Sequence, residues 1–285
     1  MKLYLAGGLN GNLGRWFWND DMNVSCAVNK GYIRCEIVSG ISRVNLLESF
    51  YYIREWQYPM IGRCKSFMLD SGAFSFMQNT KSVTDWNAYI DRYADFVRDN
   101  GVELFFELDI DSIVGYGGVL KLRDRLERRA GKRCIPVWHK SRGTQNYIDM
   151  CKEFDYVAIG GIVSGEIKRN EYKSFNPLCD IAHNHNARVH GLGFTVSDLS
   201  GYRFDSADST AWIYGNRGGY LYKYDGIKMT KINKPLGTKL AAREAAIHNF
   251  WEWVRYGEHL STDIHMAGSC GRRYILEGCD NDTNL

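Results

Sequence analysis

Short apolar runs alternate with longer amphipathic stretches along most of this chain. The runs Lys2–Ala6, Ser66–Leu69, Glu103–Leu108, Arg133–Trp138, Tyr156–Ile159, Arg188–Gly191, Tyr202–Phe204 and Ala211–Tyr214 read as strands. Between them lie helical patterns. Trp86, Tyr89, Ile90, Tyr93, Phe96 and Val97 recur at helical spacing within Asp85–Asn100, and Gly101 follows as a stop. Thr144–Phe154 carries Tyr147, Ile148 and Cys151 on one face, and Leu240–Tyr256 ends at Gly257. Repeated β-α steps of this kind predict an α/β protein, a (β/α)8 TIM barrel rather than an open doubly wound sheet. The polar residues decide between the two. Asp70, Asp109, His139, Gly160-Gly161, Gly193 and Asp205 each follow a predicted strand. A barrel gathers all such strand ends on one face, whereas an open sheet gathers only a few.

Length permits one large domain: 285 residues. The expected division is a catalytic barrel over 1–239 and a short C-terminal helical element over 240–285 that completes or caps it. No apolar run approaches the length of a membrane span, and Met1–Gly8 reads as a first strand rather than a signal peptide. The eight cysteines form no CxxC pair, so free thiols in a reducing cytoplasm are expected, with Cys134 and Cys151 as packing residues. The formal net charge of +3 excludes no partner, because a nucleic-acid enzyme needs a local basic face rather than a large total. Basic residues cluster over 121–133, where a solvated helix face is the simpler reading, and again over 223–239.

The candidate chemistry is carboxylate-rich. Asp70 sits between an apolar run and Ser71-Gly72-Ala73-Phe74, either as a side chain at a strand exit or as a helix cap. Glu107, Asp109 and Asp111 alternate, so an extended strand would put all three on one face. Such a set suits a cation or the N–H edge of a purine-like base, unless Asp111 is a solvated cap. His139 either lines the pocket or is structural, and Trp138 either stacks on a base or fills the wall. Gly160-Gly161 lets a flat ligand lie on bare backbone; a phosphate loop of the P-loop kind is excluded because no GK[ST] follows. Gly193 belongs to a similar Gly-x-Gly. Asp205 and Asp208 form a close acid pair behind Phe204. Paired acids are what substitution at a sugar carbon requires, one to attack and one to move a proton. Tyr214–Tyr220 is a glycine-rich turn carrying Arg217, followed by alternating Tyr220, Tyr222 and Tyr224, which predicts a hairpin with one aromatic face. Arg217, Tyr220 and Lys223 are the candidates for holding a phosphodiester strand.

Taken in order, these segments resemble the tRNA-guanine transglycosylase superfamily, and most closely its phage-type 7-deazaguanine DNA transglycosylases. Leu69–Phe74 resembles the DSG-x-F motif with its general acid/base, and Leu108–Ile110 the strand whose Asp holds the base. Ile159–Glu166 resembles GGL-x-x-GE, and His190–Gly193 the glycine strand after it. Phe204–Ala207 resembles FDSA, whose Asp is the nucleophile. The motifs span residues 1 to about 220 in the family's order. Two departures stand out. The C-x-C-x-x-C zinc motif is absent, with only Cys270, Cys279, His259 and His265 in the C-terminal region. The family's glutamine after the fourth strand is missing, and His139 stands near its place.

The resemblance implies a glycosyltransferase that exchanges guanine in DNA for a 7-deazaguanine base such as preQ0; the alternatives are tRNA as the target or a non-catalytic nucleic-acid-binding barrel. Asp205 is expected as nucleophile and Asp70 as acid/base. Asp109, His139, Gly160, Gly161, Ser71, Phe74, Gly193 and Asp208 are expected to bind the base. No cofactor is expected, zinc being left open, and the expected location is cytoplasmic, that of the host if phage-encoded.

Overall fold

The computed structural model describes residues 1–7, 41–78, 85–213, 220–233 and 242–271. Eight parallel strands form the centre: β1 (Lys2–Ala6), β2 (Asn45–Ser49), β3 (Ser66–Asp70), β4 (Leu104–Phe105), β5 (Val137–Trp138), β6 (Tyr156–Ile159), β7 (Arg188–Gly191) and β8 (Ser206–Ser209). Their spatial order is β4-β3-β2-β1-β8-β7-β6-β5. A parallel bridge between Phe106 and Ile135 joins the two outer members. There Glu107 N–H donates to the Ile135 carbonyl at 3.0 Å, and Ile135 N–H to that of Phe105 at 2.8 Å. The sheet is thus curled into a (β/α)8 barrel of the TIM type.

Alternation along the strands sorts the core into two layers. Tyr4, Leu47, Met68, Phe106, Ile135, Val137, Tyr156 and Ala158 fill the interior. Leu3, Leu5, Leu46, Leu69, Val157, Ile159 and Val189 point outward to the helices. Helix α1 (Ala73–Gln78) and helix α2 (Trp86–Asp99) follow β3. The Asp85 carboxylate caps α2 by accepting from Ala88 N–H at 3.0 Å. Helix α3 (Asp111–Ala130) follows β4, α4 (Gly143–Glu153) follows β5, and α5 (Phe175–Asn184) follows β6. The basic cluster on α3 is tied to acids: Arg125 to Asp91, Arg129 to Asp95 and Arg128 to Asp124. It is a solvated, ion-paired face.

Three sequence expectations need correction. β2 was not predicted, because Asn-Leu-Leu-Glu-Ser holds only two adjacent leucines between polar residues. Neither Tyr202–Phe204 nor 211–213 is a strand; Tyr214 lies outside the described residues. The strand falls between them, at Ser206-Ala207-Asp208-Ser209. These residues are small and polar, so they carry no hydrophobic signal, yet all four are buried. Finally, the C-terminal helix α6 (Ala242–Gly271) runs straight through Gly257. A Cβ at that residue would lie 3.3 Å from Leu3 Cβ, so Gly257 lets α6 press against β1 rather than ending it.

No helix separates β7 from β8. A hairpin, β9 (Tyr220–Tyr224) with β10 (Met229–Asn233), covers that side; Met229 N–H donates to the Ser197 carbonyl at 2.9 Å. Its aromatic face turns inward, with Tyr222 on Trp253 and Tyr224 on Tyr256.

Phe106 is fully buried, and its backbone carries the closing bridge. Phe106→Ala is expected to cost about 3–5 kcal/mol in urea unfolding; a loss below about 1 kcal/mol would show that the interior does not depend on it.

Candidate active site

Alternation also determines what reaches the barrel mouth. On β3, Met68 is interior and Asp70 follows it two residues on; on β5, Val137 leads in the same way to His139, and on β6 Ala158 to Gly160. On β8, Ser206 is interior, bonded to Tyr156 of β6, and Asp208 comes next on the same face.

Asp70 ends β3. Gly72, at φ +86°, turns the chain so that its N–H reaches the Asp70 Oδ2 at 2.9 Å. Tyr51 Cβ would stand 2.6 Å from any Cβ placed at Gly72, so the turn tolerates glycine alone. Burial is the largest influence on Asp70, and the charges of Asp109 and Asp208 add to it. Against the Gly72 amide and the Ser49 hydroxyl, they push its pKa up to about 7. Three carboxylates, from β3, the segment after β4, and β8, therefore share this mouth.

Asp109 is held by His139. The His139 Nε2 is 2.9 Å from Asp109 Oδ2, and its Nδ1 is 3.1 Å from Glu166 Oε2. Burial alone would lower the His139 pKa, but the two carboxylates override it and raise it to about 9. At neutral pH this ring is an imidazolium clamped between acids, donating to both. Burial also acts upward on Glu166, yet the Ser141 N–H at 2.7 Å and His139 hold its pKa below the usual range.

The glycine pair serves this clamp. A Cβ on Gly160 would meet Val137 Cγ1 at 2.7 Å and His139 Cε1 at 3.0 Å, and one on Gly161 would meet Glu166 Oε2 at 2.7 Å. Gly160 N–H is already bonded to the Trp138 carbonyl at 2.9 Å. The expectation that Gly160 offers bare backbone and a free amide to a flat ligand is therefore corrected: the space above it belongs to His139. Trp138 lies in the outer wall, its Nε1 bonded to the Gly143 carbonyl at 3.0 Å.

Glu107, Asp109 and Asp111 do not share a face, because β4 ends at Phe105. Arg142 takes the outer two. It pairs in bidentate fashion with Asp111 at 2.7 and 2.6 Å and reaches Glu107 Oε1 at 3.3 Å. Only Asp109 turns to the mouth.

Asp208 is buried on β8. Its Oδ1 receives the Gly193 N–H at 2.5 Å and lies 3.2 Å from His190 Nε2. Oδ2 has no hydrogen-bond partner among the described residues. Asp205, expected beside Asp70, lies at the other end of the barrel. It precedes β8, and its carbonyl accepts from Lys2 N–H at 2.8 Å, at the foot of β1. Its carboxylate is bonded to His183 at 2.9 Å and to Val189 N–H at 2.7 Å. The pairing of Lys2 with Ser206 sets this register, and a strand that begins at Ser206 rather than ending at Phe204 puts Asp205 at the foot and Asp208 at the mouth.

Ser71 is buried beside Asp70 with no partner for its hydroxyl, and Phe74 is exposed on α1. Lys223 is exposed on the hairpin and Tyr220 is partly buried there, while Arg217 lies outside the described residues. Cys279 also lies outside them, and among the described residues no cluster of three or more His, Cys, Asp or Glu side chains could hold a metal ion. Glu166, His190, Ser206 and Arg142 are the site residues that sequence reasoning did not assign. The alternation of Ser206 with Asp208 was the available signal.

No family model matches the chain, and no curated protein matches it. Among solved structures it is similar to the carboxyl transferase domain of Rhizobium etli pyruvate carboxylase, in forms with pyruvate and with 3-hydroxypyruvate. Each is 13% identical over 77% of this chain, with a TM-score of 0.39. The chain spans 42% of the length of those proteins.

Two pH effects follow. Asp70 keeps its proton up to about pH 7 when folded but only to 3.8 ordinarily, so the folded state binds more protons between these values. Stability should therefore fall as pH rises through that window, and the advantage of Asp70→Asn over the parent should grow from pH 4 to 7, reaching roughly 2–4 kcal/mol. His139 adds a second decline. Its stabilisation is complete below 6.5 and is lost as pH rises through about 9. Asp109→Asn should flatten this second decline. Urea unfolding across pH measures both, and pH-independent differences would refute them.

Proposed function

We propose that this chain is a base-exchange glycosyltransferase acting on guanine in a nucleic acid, with DNA the expected polymer, and that Asp208 is its nucleophile. One observation carries the reading. The mouth pairs a carboxyl poised near neutrality, Asp70, with a second carboxylate, Asp208, that has one oxygen fixed and the other without a hydrogen-bond partner among the described residues. Retaining substitution at a sugar carbon needs this division of labour.

In the proposed reaction Asp208 Oδ2 attacks C1′ of the target nucleotide. The C1′–N9 bond breaks, its electron pair leaves with guanine, and protonated Asp70 supplies the proton that guanine takes up. A covalent ester between Asp208 and C1′ remains. The incoming 7-deazaguanine then gives its N9 proton to the Asp70 carboxylate, and N9 attacks C1′ and releases Asp208. The strand is never cut. Asp109 Oδ2 is engaged with His139, which leaves Oδ1 to accept from the N1–H and amino edge of the base. The hydrogen bond from His139 keeps that carboxylate aimed. A duplex target must expose the nucleotide first, at a cost of about a few kcal/mol, and Lys223, exposed on the hairpin, is a candidate phosphate contact. The reading assigns the enzyme to the cytoplasm, where its substrate is found. Among the described residues no helix is long and apolar enough to cross a membrane.

The test is incorporation of labelled guanine into duplex DNA or, in a parallel arm, tRNA. Asp208→Asn should lose exchange by about 10³-fold or more, whereas Asp205→Asn should keep it within about threefold. Full activity in Asp208→Asn would remove the proposed nucleophile. Release of free base without incorporation would make the protein a hydrolase.

A further inference from the structure

We propose that His190 is a positioning residue that aims Asp208, as the upper member of a buried hydrogen-bonded row running Tyr156–Ser206–His190–Asp208. The consequence for catalysis rests on the reading of Asp208 as nucleophile; the row itself does not.

TIM-barrel interiors are usually filled with branched apolar side chains. Here β6, β7 and β8 put polar groups inside instead. Tyr156 OH lies 2.6 Å from Ser206 Oγ, Ser206 Oγ lies 2.5 Å from His190 Nδ1, and His190 Nε2 lies 3.2 Å from Asp208 Oδ1. His190 and Ser206 are fully buried, and Tyr156 and Asp208 nearly so. Cross-strand register makes the contact direct, since His190 is the partner of Ser206. The ring cannot swing away, because Phe106 lies against it at 5.1 Å and Tyr4 meets it edge-on at 6.2 Å.

Proton counting gives the row one direction. Asp208, as a carboxylate, only accepts, so His190 Nε2 must carry hydrogen to bond it. If Nδ1 also carried hydrogen, it would donate to Ser206. Ser206 would then either accept from both neighbours and strand its own hydrogen, or turn that hydrogen to Tyr156 and strand the phenol's; either way one buried hydrogen lacks an acceptor within the row, a costly arrangement. With the opposite sense every group is satisfied. Tyr156 donates to Ser206, Ser206 donates to His190 Nδ1, and Nε2–H donates to Asp208 Oδ1. Gly193 N–H reaches the same oxygen. Two donors on Oδ1 fix the carboxylate's rotation and leave Oδ2 for C1′. They also stabilise the charge that returns to Asp208 when the incoming base displaces it.

Glutamine provides a discriminating replacement, because its carbonyl can accept from Ser206 while its amide donates to Asp208. In the guanine-exchange assay His190→Leu should lower kcat about 10- to 100-fold with little change in KM for the base, and His190→Gln should recover most of that loss. Ser206→Ala, which removes the donor to Nδ1, should fall between them. A second readout needs no substrate: ¹⁵N NMR of the His190 ring should show hydrogen on Nε2 in the parent and a new Nδ1–H population in Ser206→Ala. An Nδ1–H ring in the parent, or kcat in a folded His190→Leu within about twofold of the parent, overturns the proposal. Should His190→Leu fail to fold, Ser206→Ala and the ring spectrum decide. Should Asp208→Asn remain active while the ring behaves as described, the functional reading fails and the row stands.

Discussion

Like charges crowded into a partly dry space are the constraint around which this barrel mouth is built. Asp70, Asp109 and Asp208 come from β3, the segment after β4, and β8; burial first, and then the charges of Asp109 and Asp208, hold the Asp70 pKa at about 7 rather than 3.8. Three ionised carboxylates without compensation would be severely destabilising there. Each is handled differently. Asp70 keeps its proton near neutrality. Asp109 is neutralised by the His139 imidazolium, which Glu166 supports from the other side. Asp208 takes two hydrogen-bond donors on one oxygen. The three solutions leave three chemically distinct groups: a carboxyl that keeps its proton near neutrality, a carboxylate held by an imidazolium, and a carboxylate with one oxygen fixed by two donors.

The surrounding fold makes that arrangement rigid. Arg142 locks Glu107 and Asp111 away from the mouth, so a run of alternating acids delivers only one of them. Gly160 and Gly161 lack side chains because His139 and Glu166 occupy the space. Gly72 and Gly193, both at positive φ, bend the chain so that their amides face Asp70 and Asp208. At Gly72, Gly161 and Gly193 the glycine serves the position of a neighbouring acid, and at Gly160 that of His139.

Much of the barrel could be read from the chain. β1, β6 and β7 have the expected bounds; β1 and β6 are compact apolar runs, whereas β7, Arg-Val-His-Gly, has Val189 as its one branched apolar residue. β8 could not be found that way. Ser-Ala-Asp-Ser is held by hydrogen bonds to Tyr156 and His190 inside the barrel, and such bonds leave no hydrophobic trace. That single gap put Asp205 rather than Asp208 at the expected strand exit, because the place of Asp205 in the strand register was invisible. Asp70, Asp109 and His139 were recognisable because a carboxylate or imidazole directly after an apolar run marks a strand exit. Their protonation states were not, since these depend on neighbours that meet only through folding.

Mapping the covalent intermediate tests the account most directly. The protein would be incubated with guanine-containing DNA without incoming base, quenched, digested with protease and nuclease, and its peptides examined by tandem mass spectrometry. The account predicts a sugar-phosphate remnant on the Asp208 side chain. A remnant on Asp205, or on Asp70, would contradict it.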